Sequence, residues 1–555
     1  MNTEETNVEP EHEAKTKDAP EPKDAEDPVQ VAADADATEA DVSEADLDQD
    51  EQEKQPMTGG GDRAEDAPSA DGEAVLSGEK NGSVKLKIPE EVEEVKFMGL
   101  TKEELLRVAG TPGWVRTRWA LLVVFWLGWL GMLVGAVFII LQAPRCRDLP
   151  PTNWWNNGLL YQIGHVQAFT DTHNLKGLEQ KMDGLSQLKV KGLVVGPIHV
   201  APPDEAANLR FEEISPEAGN LEQFRGLMQT AHRKGISVVL DLTPNYQGSS
   251  GPWFANISVR NVAERLKSAL VFWLNEGVDG VQLSGVEHVA SMVPSLWSDI
   301  RAIVQNNTDE RPNKRVLMGV TERSSAEEVS SLLSSSGVDL LISRVLCCRD
   351  MEATERARSI QLLYSSHSQT KLVWSLRGWA EGHLASLVGL AQVKLHQLLL
   401  FTLPGTPVFN YGDEIGLMDE GTKFPQMLWD LDEKVNDTLQ EDRAERLSCR
   451  SFFRGLSELR GKERSLLFGD FVLLSNSSSS LAYLRVWDQS ERYLAAFNWA
   501  DESDVLQLSG AMLPRQATVV LSTNSSALPA DSSVDLTNLR LGPGQATLLR
   551  FPYTG

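Results

Sequence analysis

The sequence predicts an α/β chain with a disordered acidic tail, a single transmembrane helix, a (β/α)8 TIM-type barrel and a C-terminal antiparallel β-sandwich. Three observations predict this order. Residues 119–141 form an uncharged apolar run, β-branched runs alternate with amphipathic stretches over residues 154–449, and strand-like runs alone fill residues 450–555. At 555 residues the chain is long enough for several domains.

The negative charge of the chain is concentrated in its N-terminal tail. Residues 1–95 contain 30 acidic and 8 basic residues, and so carry −22 of the formal charge of −27. This segment is rich in Glu, Asp, Ala and Pro, and it cannot bury enough apolar surface to offset the entropy cost of ordering. We expect a disordered, solvated tail or, alternatively, a docking segment for an adaptor. The charge pattern does not favour nucleic-acid binding.

The run WALLVVFWLGWLGMLVGAVFIIL at residues 119–141 is long enough to cross a lipid bilayer. About 20 apolar residues of helix span a hydrocarbon core of roughly 30 Å. Basic residues favour the N-terminal side of this run, with Lys96, Lys102, Arg107, Arg116 and Arg118 against Arg145 and Arg147. This bias predicts a cytosolic N-terminus. The chain is then a type II single-pass protein with a cytosolic juxtamembrane segment at 96–118 and an extracellular neck at 142–153.

Two further patterns fit this topology. The proposed ectodomain contains N-x-Ser/Thr sequons, which predict glycosylation at Asn256, Asn306, Asn436, Asn476 and Asn524. Within the span, Gly128, Gly131 and Gly135 place small residues on neighbouring turns, a pattern that predicts a close-packing face for another helix.

All four cysteines lie on the predicted oxidising side of the membrane. Cys146 follows the span by five residues, in a short Pro-flanked stretch, and is well placed for a disulfide to another membrane protein. Pairing within the ectodomain and palmitoylation are the alternatives. Cys347 and Cys348 follow a strand-like run and are expected to be buried apolar residues. Because no His accompanies them at zinc spacing, we predict no metal site, and the pairing of Cys449 stays open.

The ectodomain alternates strand-like and helical stretches. The runs KGLVVGPIHV, GISVVLDLTPN, GVDGVQLSG, RVLMGV, VDLLISRV and TKLVWSL are short and rich in β-branched residues, and they are separated by amphipathic stretches such as NLEQFRGLMQTAHRK. This order is typical of parallel βαβ units and fits a (β/α)8 barrel. The later runs FGDFVLLSN, LAYLRVWDQ, RYLAAFNWA, TVVLST and ATLLRFPY are typical of an antiparallel sandwich.

Several motifs carry a family resemblance from about Trp154 to the C-terminus. WWNNGLLYQIGHVQAFTD, AHRKGISVVLDLTPNYQG and FTLPGTPVFNYGDEIGL, in this order, resemble the α-amylase family of glycosidases. A single span followed by this barrel is similar to the heavy subunits of heteromeric amino-acid transporters, and most similar to heavy chains of the 4F2 type. Only 43 positions separate Asp241 from Ser284, which leaves no room for the small inserted domain of the family's enzymes.

The resemblance implies that the glycosidase site is degenerate. Retaining enzymes need two carboxyl groups about 5–5.5 Å apart, one as nucleophile and one as proton donor. In DGVQLSG the family's Arg position holds Gln282 and the nucleophile position holds Ser284, while the donor position holds Val320. The third acid is absent from WSLRGW, and of the set only Asp241 is retained. We therefore expect no catalytic residues and no cofactor.

Substitute groups are not expected to rescue catalysis. Glu287 and Glu322 lie three and two residues past the lost positions, and a displacement of an ångström already costs about a hundredfold in rate. Ser284 and His288, four residues apart, are interpreted as ordinary polar residues at the start of a helix rather than as a nucleophile and its base.

The resemblance implies a non-catalytic heavy-chain subunit at the plasma membrane. Such a subunit is disulfide-linked through Cys146 to a multi-pass amino-acid transporter light chain, which it brings to the cell surface and stabilises there. The resemblance also implies a role in integrin signalling through the tail and the span, with an integrin β subunit as a partner. One alternative is an adhesion or receptor glycoprotein whose barrel binds a ligand, and a second, less favoured alternative is a membrane-tethered glycosidase.

Overall fold

The structure is a computed structural model that describes residues 101–142, 146–254, 256–306, 314–348, 350–429 and 440–553. The predicted acidic tail at 1–95 lies outside these residues. Two helices come first, α1 (Lys102–Ala109) and α2 (Pro112–Gln142). Helix α2 is 31 residues long and contains the predicted span. By length and composition α2 can cross a membrane.

The predicted barrel is present as a sheet of parallel strands. The strands of this region, in chain order, are β1 (Leu159–Ile163), β2 (Val190–Val195), β3 (His199–Val200), β4 (Arg210–Ile214), β5 (Ser237–Asp241), β6 (Gly280–Ser284), β7 (Val316–Val320), β8 (Leu340–Ile342), β9 (Val373–Trp374) and β10 (Thr406–Asn410). Strands β3 and β4 form a separate hairpin, and the others follow the order β8-β7-β6-β5-β2-β1-β10-β9. In the part of the chain that the structure describes, no ladder joins β8 to β9, so the barrel is nearly closed.

Helices cover the outside of the barrel, as the amphipathic stretches predict. They are α3 (Val166–Phe169), α4 (Leu175–Gln180), α5 (Met182–Gln187), α6 (Leu221–Arg233), α7 (Asn256–Asn275), α8 (Val286–Met292), α9 (Pro294–Gln305), α10 (Ala326–Ser336), α11 (Ala353–Ser366), α12 (Leu384–Val388), α13 (Val393–Thr402), α14 (Gln440–Lys462) and α15 (Arg464–Leu467). The strands are buried on both faces, so their apolar residues run almost continuously. Leu160, Val194, Val239, Met318 and Val408 belong to the cluster that fills the barrel interior.

The C-terminal region is an antiparallel sheet, as predicted, with a thin second layer. Its strands are β11 (Asp470–Asn476), β12 (Ser480–Val486), β13 (Arg492–Asn498), β14 (Asp504–Leu506), β15 (Gln516–Ser522), β16 (Ser533–Asp535), β17 (Leu539–Leu541) and β18 (Ala546–Phe551). The main sheet has the order β11-β12-β13-β18-β15-β16, and β14 pairs with β17. Tyr483 and Phe497 pack in the large core that includes barrel helices, whereas Leu484 and Leu549 pack in a second core with residues of β14 and β17.

Two buried arginines join the barrel to the C-terminal sheet. Arg460 of α14 donates to the main-chain carbonyls of Phe401, Leu403 and Gly405, at or just beyond the end of α13. Arg485 of β12 donates to the carbonyls of Thr402, at 2.6 Å, and Gly469, at 2.8 Å. The last carbonyls of a helix lack partners within it and carry the negative end of its dipole, so two guanidinium groups satisfy them here. Helix α14 itself crosses the predicted division at residue 449.

The neck is attached to the edge of the C-terminal sheet. The main-chain N–H of Arg147 donates to Asp488 Oδ2 at 3.1 Å, and its guanidinium donates to Asp470 Oδ2 at 3.1 Å. The same guanidinium lies 4.7 Å from the ring centre of Trp487. These four residues, Arg147, Asp470, Trp487 and Asp488, are called the neck latch below. Cys146, next to it in sequence, is exposed.

Candidate functional site

The carboxyl ends of several barrel strands surround a cavity of about 500 Å³. Side chains from the ends of β6 and β7, including Ser284 and Val320, line it together with Trp253, Glu287 and Trp379. Ligand sites of parallel barrels lie at this end of the strands. The cavity is therefore the place where the sequence-predicted site residues can be compared.

Asp241 ends β5 and is fully buried. Its carboxylate accepts hydrogen bonds from the Gln282 amide at 2.6 Å, the Trp379 indole at 3.0 Å and the main-chain N–H of Thr243 at 2.8 Å. Burial raises the pKa of Asp241 to about 6, against the opposing effect of these hydrogen bonds. The structure thus brings the retained acid together with Gln282, in a closed polar cluster behind the cavity wall.

Ser284 and Val320 lie side by side at the ends of β6 and β7, where they are partners in the strand register. Both line the cavity and both are partly exposed. The main-chain carbonyl of Ser284 accepts a hydrogen bond from the indole of Trp253 at 3.0 Å. The two positions therefore face the cavity with a hydroxyl and an aliphatic group, neither of which titrates near neutral pH.

The carboxylates considered as substitutes also line the cavity, but on its loops and on helix α8. Glu287 lies in the first turn of α8 and accepts a hydrogen bond from the Thr321 hydroxyl at 2.9 Å. Glu322 follows β7 and is exposed. In the described part of the chain, no hydrogen bond joins Ser284 to His288, whose main-chain carbonyl accepts from Ser291. Ser284 and His288 are therefore not hydrogen-bonded to each other as a nucleophile and its base would be.

Sequence reasoning missed the role of Trp379. Its indole covers Asp241 and also lies between the main cavity and a second one of about 280 Å³. A Cβ at Gly164 would come within 2.5 Å of the Trp379 ring, so a glycine is needed there for the ring to pack. The two residues are 215 positions apart, and no local pattern links them.

Asp279, the first residue of the stretch DGVQLSG, lies at the opposite end of β6 from the cavity. Its Oδ2 atom accepts from the main-chain N–H of Val238 at 2.8 Å and contacts His232 Nε2 at 2.7 Å. This hydrogen bond raises the pKa of His232 above its ordinary value. Asp279 therefore ties β5 and α6 together and has a structural role.

The cysteines do not resemble a metal site. Among the described residues, no group of three or more His, Cys, Asp or Glu side chains is arranged to hold a metal ion. Cys449 is buried, and burial raises its pKa to about 11. The expectation that Cys347 and Cys348 are both buried is wrong: Val345 and Leu346 take the buried positions after β8, which leaves Cys347 half-buried and Cys348 exposed. Burial raises the pKa of the half-buried Cys347 thiol to about 12.

The predicted modification sites fall at the ends of elements or in turns. Asn306 follows α9, Asn476 ends β11 and Asn524 lies in a turn after β15, and all three are exposed. Asn256 is the first residue of α7, and Asn436 lies outside the described residues. On α2 a Cβ added at Gly128, Gly131 or Gly135 would meet no atom within 4 Å. Glycosylation and helix packing stay predictions.

The fold and site define an α-amylase-type barrel preceded by one apolar helix. Residues 165–262 match the family model for the α-amylase catalytic domain, and residues 85–161 match that for the solute carrier family 3 member 2 N-terminus. Trehalulose synthase MutB from Pseudomonas mesoacidophila MX-45 superposes with a TM-score of 0.58 at 17% identity, covering 72% of this chain and 100% of that one. At that identity the likeness concerns the fold alone.

Comparison with curated relatives shows which family within this class the chain resembles. The chain is 44% identical to the rabbit (Oryctolagus cuniculus) amino acid transporter heavy chain SLC3A2 over 522 residues, covering 90% of this chain and 96% of the relative. It is 24% identical to the mouse amino acid transporter heavy chain SLC3A1, with 82% and 85% covered, and 22% identical to an α-glucosidase of Culex pipiens, with 73% and 92% covered. The chain belongs to the SLC3A2 family of amino acid transporter heavy chains. The resemblance to transporter heavy chains is thereby confirmed.

Proposed function

We propose that this chain is the non-catalytic heavy-chain subunit of a heteromeric amino-acid transporter. It pairs with a multi-pass light chain, brings that chain to the plasma membrane and stabilises it there. The observation that carries the proposal is the match to named heavy chains along nearly their whole length. The physical argument agrees, because a transport path needs several helices around a cavity, whereas in the described residues only α2 is long and apolar enough to span a membrane.

The orientation of the span is part of the proposal. The excess of basic residues before residue 119 supports a cytosolic N-terminus and an extracellular C-terminal region. The exposure of Asn306, Asn476 and Asn524 agrees with this orientation, since a glycan needs an accessible asparagine. The proposed domain limits agree with this orientation, with residues 1–118 on the cytosolic side, 119–141 in the membrane and 142–555 on the extracellular side.

The covalent link is assigned to Cys146. Among the four cysteines, all of which the structure describes, no disulfide forms within the chain, and Cys146 is exposed next to the span. A light chain packed against Gly128, Gly131 and Gly135 would hold its own cysteine close to Cys146. Linkage by a short tether raises the effective concentration of the helix contact, so a modest helix interface suffices.

The proposed absence of catalysis is supported by the residues at the strand ends. A retaining mechanism requires two opposed carboxyl groups, and the positions assigned by resemblance carry Ser284 and Val320. The one retained acid, Asp241, already accepts three hydrogen bonds in a closed cluster. Assays on α-glucoside substrates test this point, and turnover above that of a denatured control would favour the tethered glycosidase.

A receptor or adhesion role is the second candidate. The cavity of about 500 Å³, lined in part by Trp253 and Trp379, is of a size that holds small ligands. Such a role is compatible with the heavy-chain function. The suggested integrin β partner rests on the resemblance alone and is tested by recovery of partners in mild detergent.

The decisive experiment compares wild type with Cys146→Ser on reducing and non-reducing gels of cell membranes. We expect a larger band that contains a multi-pass transporter, collapses on reduction and is absent from the variant. Cys348→Ser is the matched control because Cys348 is also exposed, and it should retain the band. A wild type that runs as a monomer under both conditions would refute the covalent partnership and favour the receptor role.

A further inference from the structure

Within the neck latch, Arg147 makes three contacts with the other residues. The main chain of Arg147 bonds to Asp488, its guanidinium pairs with Asp470, and the same group stacks on Trp487. The ion pair is about half exposed on both sides, and an exposed pair of this kind is weak alone. Together with the cation–π contact and the main-chain hydrogen bond, however, it fixes both the main chain and the side chain of one residue.

The number of residues between the end of α2 and Arg147 limits how far the neck latch can lie from that helix end. Gln142 ends α2, and Arg147 is five residues further on. An extended chain spans at most about 3.6 Å per residue, so the edge of the C-terminal sheet lies within about 18 Å of the helix end. In the described residues, the next hydrogen bond that ties this part of the chain to a distant segment is that of the indole of Trp154, the first barrel residue, to the Lys314 carbonyl. Without the latch, the corresponding limit over twelve residues is about 43 Å.

We propose that the neck latch makes the edge of the C-terminal sheet around Asp470, Trp487 and Asp488 the surface of the ectodomain that faces the multi-pass partner. This inference rests on the proposed span and the proposed Cys146 linkage, and adds to them a defined contact surface. Arg147 acts as a positioning residue. It holds the ectodomain by this edge next to the residue that carries the disulfide, so the far side of the barrel points away from the partner.

The size of the effect follows from the tether. The effective concentration of a tethered contact falls roughly as the 3/2 power of tether length. Release of the latch lengthens the tether from five to twelve residues, so the population of the close contact falls by about three- to fourfold. The disulfide itself is not expected to be lost, because Cys146 stays four residues from the helix end.

Site-specific photo-crosslinking in the full-length chain tests the surface. A benzophenone amino acid replaces Gln489, which is exposed beside Asp488, or Ser249, which is exposed on a loop at the cavity end of the barrel. In cell membranes, irradiation at position 489 should give an adduct with the disulfide-linked partner that survives reduction, and position 249 should give none. Arg147→Ala removes the ion pair and the cation–π contact but keeps the main-chain hydrogen bond to Asp488, so it should lower the adduct from position 489 by up to about three- to fourfold.

Two variants separate the latch from a general disturbance. Exchange of the charges in Arg147→Asp with Asp470→Arg should restore at least part of the adduct, since it re-forms the pair. Arg515→Ala removes another exposed pair, that between Arg515 and Asp535, and should leave the adduct unchanged. Melting temperatures of all variants should stay close to that of wild type, because Arg147 is on the surface.

The same gels distinguish the two proposals. A wild type without a reducible band refutes the proposed disulfide. A reducible band combined with equal adduct from position 489 in wild type and Arg147→Ala overturns the latch and leaves the heavy-chain function intact. Stronger adduct from position 249 than from position 489 also overturns the proposed surface.

Discussion

Loss of the Arg460 guanidinium should loosen the joint between the barrel and the C-terminal sheet. Arg460 is 1% exposed, and its hydrogen bonds go to three main-chain carbonyls at or just beyond the end of α13. Arg460→Ala removes these donors and leaves buried carbonyls unpaired, at about 1–3 kcal/mol for each group. It also removes a buried charge whose desolvation was unfavourable, which offsets part of the loss.

Three carbonyls at about 1–3 kcal/mol each, less the relief of the buried charge, give a net loss of about 3–5 kcal/mol. This is a large part of the roughly 5–15 kcal/mol that is typical of a folded domain. Thermal melting of the full-length protein, followed by near-UV circular dichroism, measures it. The matched control is Arg454→Ala, because Arg454 lies on the same helix but is exposed. A surface change of that kind is worth within about 0.5 kcal/mol. If Arg460→Ala and Arg454→Ala have the same melting temperature, the hydrogen bonds of Arg460 to these carbonyls do not stabilise the joint between the barrel and the C-terminal sheet.

Three further outcomes follow from groups outside the cavity. Hydrogen bonding to Asp279 raises the pKa of His232, so the stability this pair contributes is full at acid pH and is lost as pH rises through the raised pKa. In His232→Gln this pH-dependent part of the unfolding free energy should disappear. An unfolding free energy that varies with pH as it does in wild type would contradict the contribution of the pair. Burial raises the pKa of Glu414 to about 7, so wild type should lose stability as pH rises from about 4.5 to 7. The Tyr161 hydroxyl donates to Glu414 at 3.0 Å and can donate equally to the amide oxygen of Glu414→Gln. This variant should reduce the loss of stability but not abolish it, because burial also raises the pKa values of Asp241 and Asp413 to about 6. A slope equal to that of wild type in denaturant titrations would contradict the prediction. Replacement of Asn524 by Gln should remove one glycan, seen as a gel shift that glycosidase digestion abolishes in both proteins; identical mobility before digestion would show that Asn524 is unmodified.

Local patterns were sufficient for most of the fold. The run GVDGVQLSG predicts a strand that the structure shows as β6, and NLEQFRGLMQTAHRK predicts a helix that it shows as α6. Both elements lie within a few residues of their predicted positions. Burial on both faces of a strand, or on one face of a helix, produces a characteristic spacing of apolar residues along the sequence. The short hairpin of β3 and β4 and the pair of β14 with β17 carry no such pattern and were not predicted.

The sequence predicted which positions along the chain form the site, but not the long-range contacts that these residues make. The strand-end motifs placed Asp241, Gln282, Ser284 and Val320 near one another, and the structure brings them to the same end of the barrel. The cover over Asp241 was not predictable, since the Trp379 hydrogen bond joins residues 138 positions apart. The neck latch spans more than 320 positions. Contacts of this length depend on the assembled fold, and a single sequence holds no local signal for them.

Strand β18 has a consequence for synthesis of the chain. It lies in the middle of the main C-terminal sheet, between β13 and β15, although it comes last in sequence. The sheet therefore cannot complete its hydrogen bonds until residues 546–551 have left the ribosome. One face of this sheet also belongs to the core shared with barrel helices, so that core is incomplete until the same residues are present. A nascent chain stopped before Ala546 would expose both cores to the quality-control machinery of the compartment in which it folds.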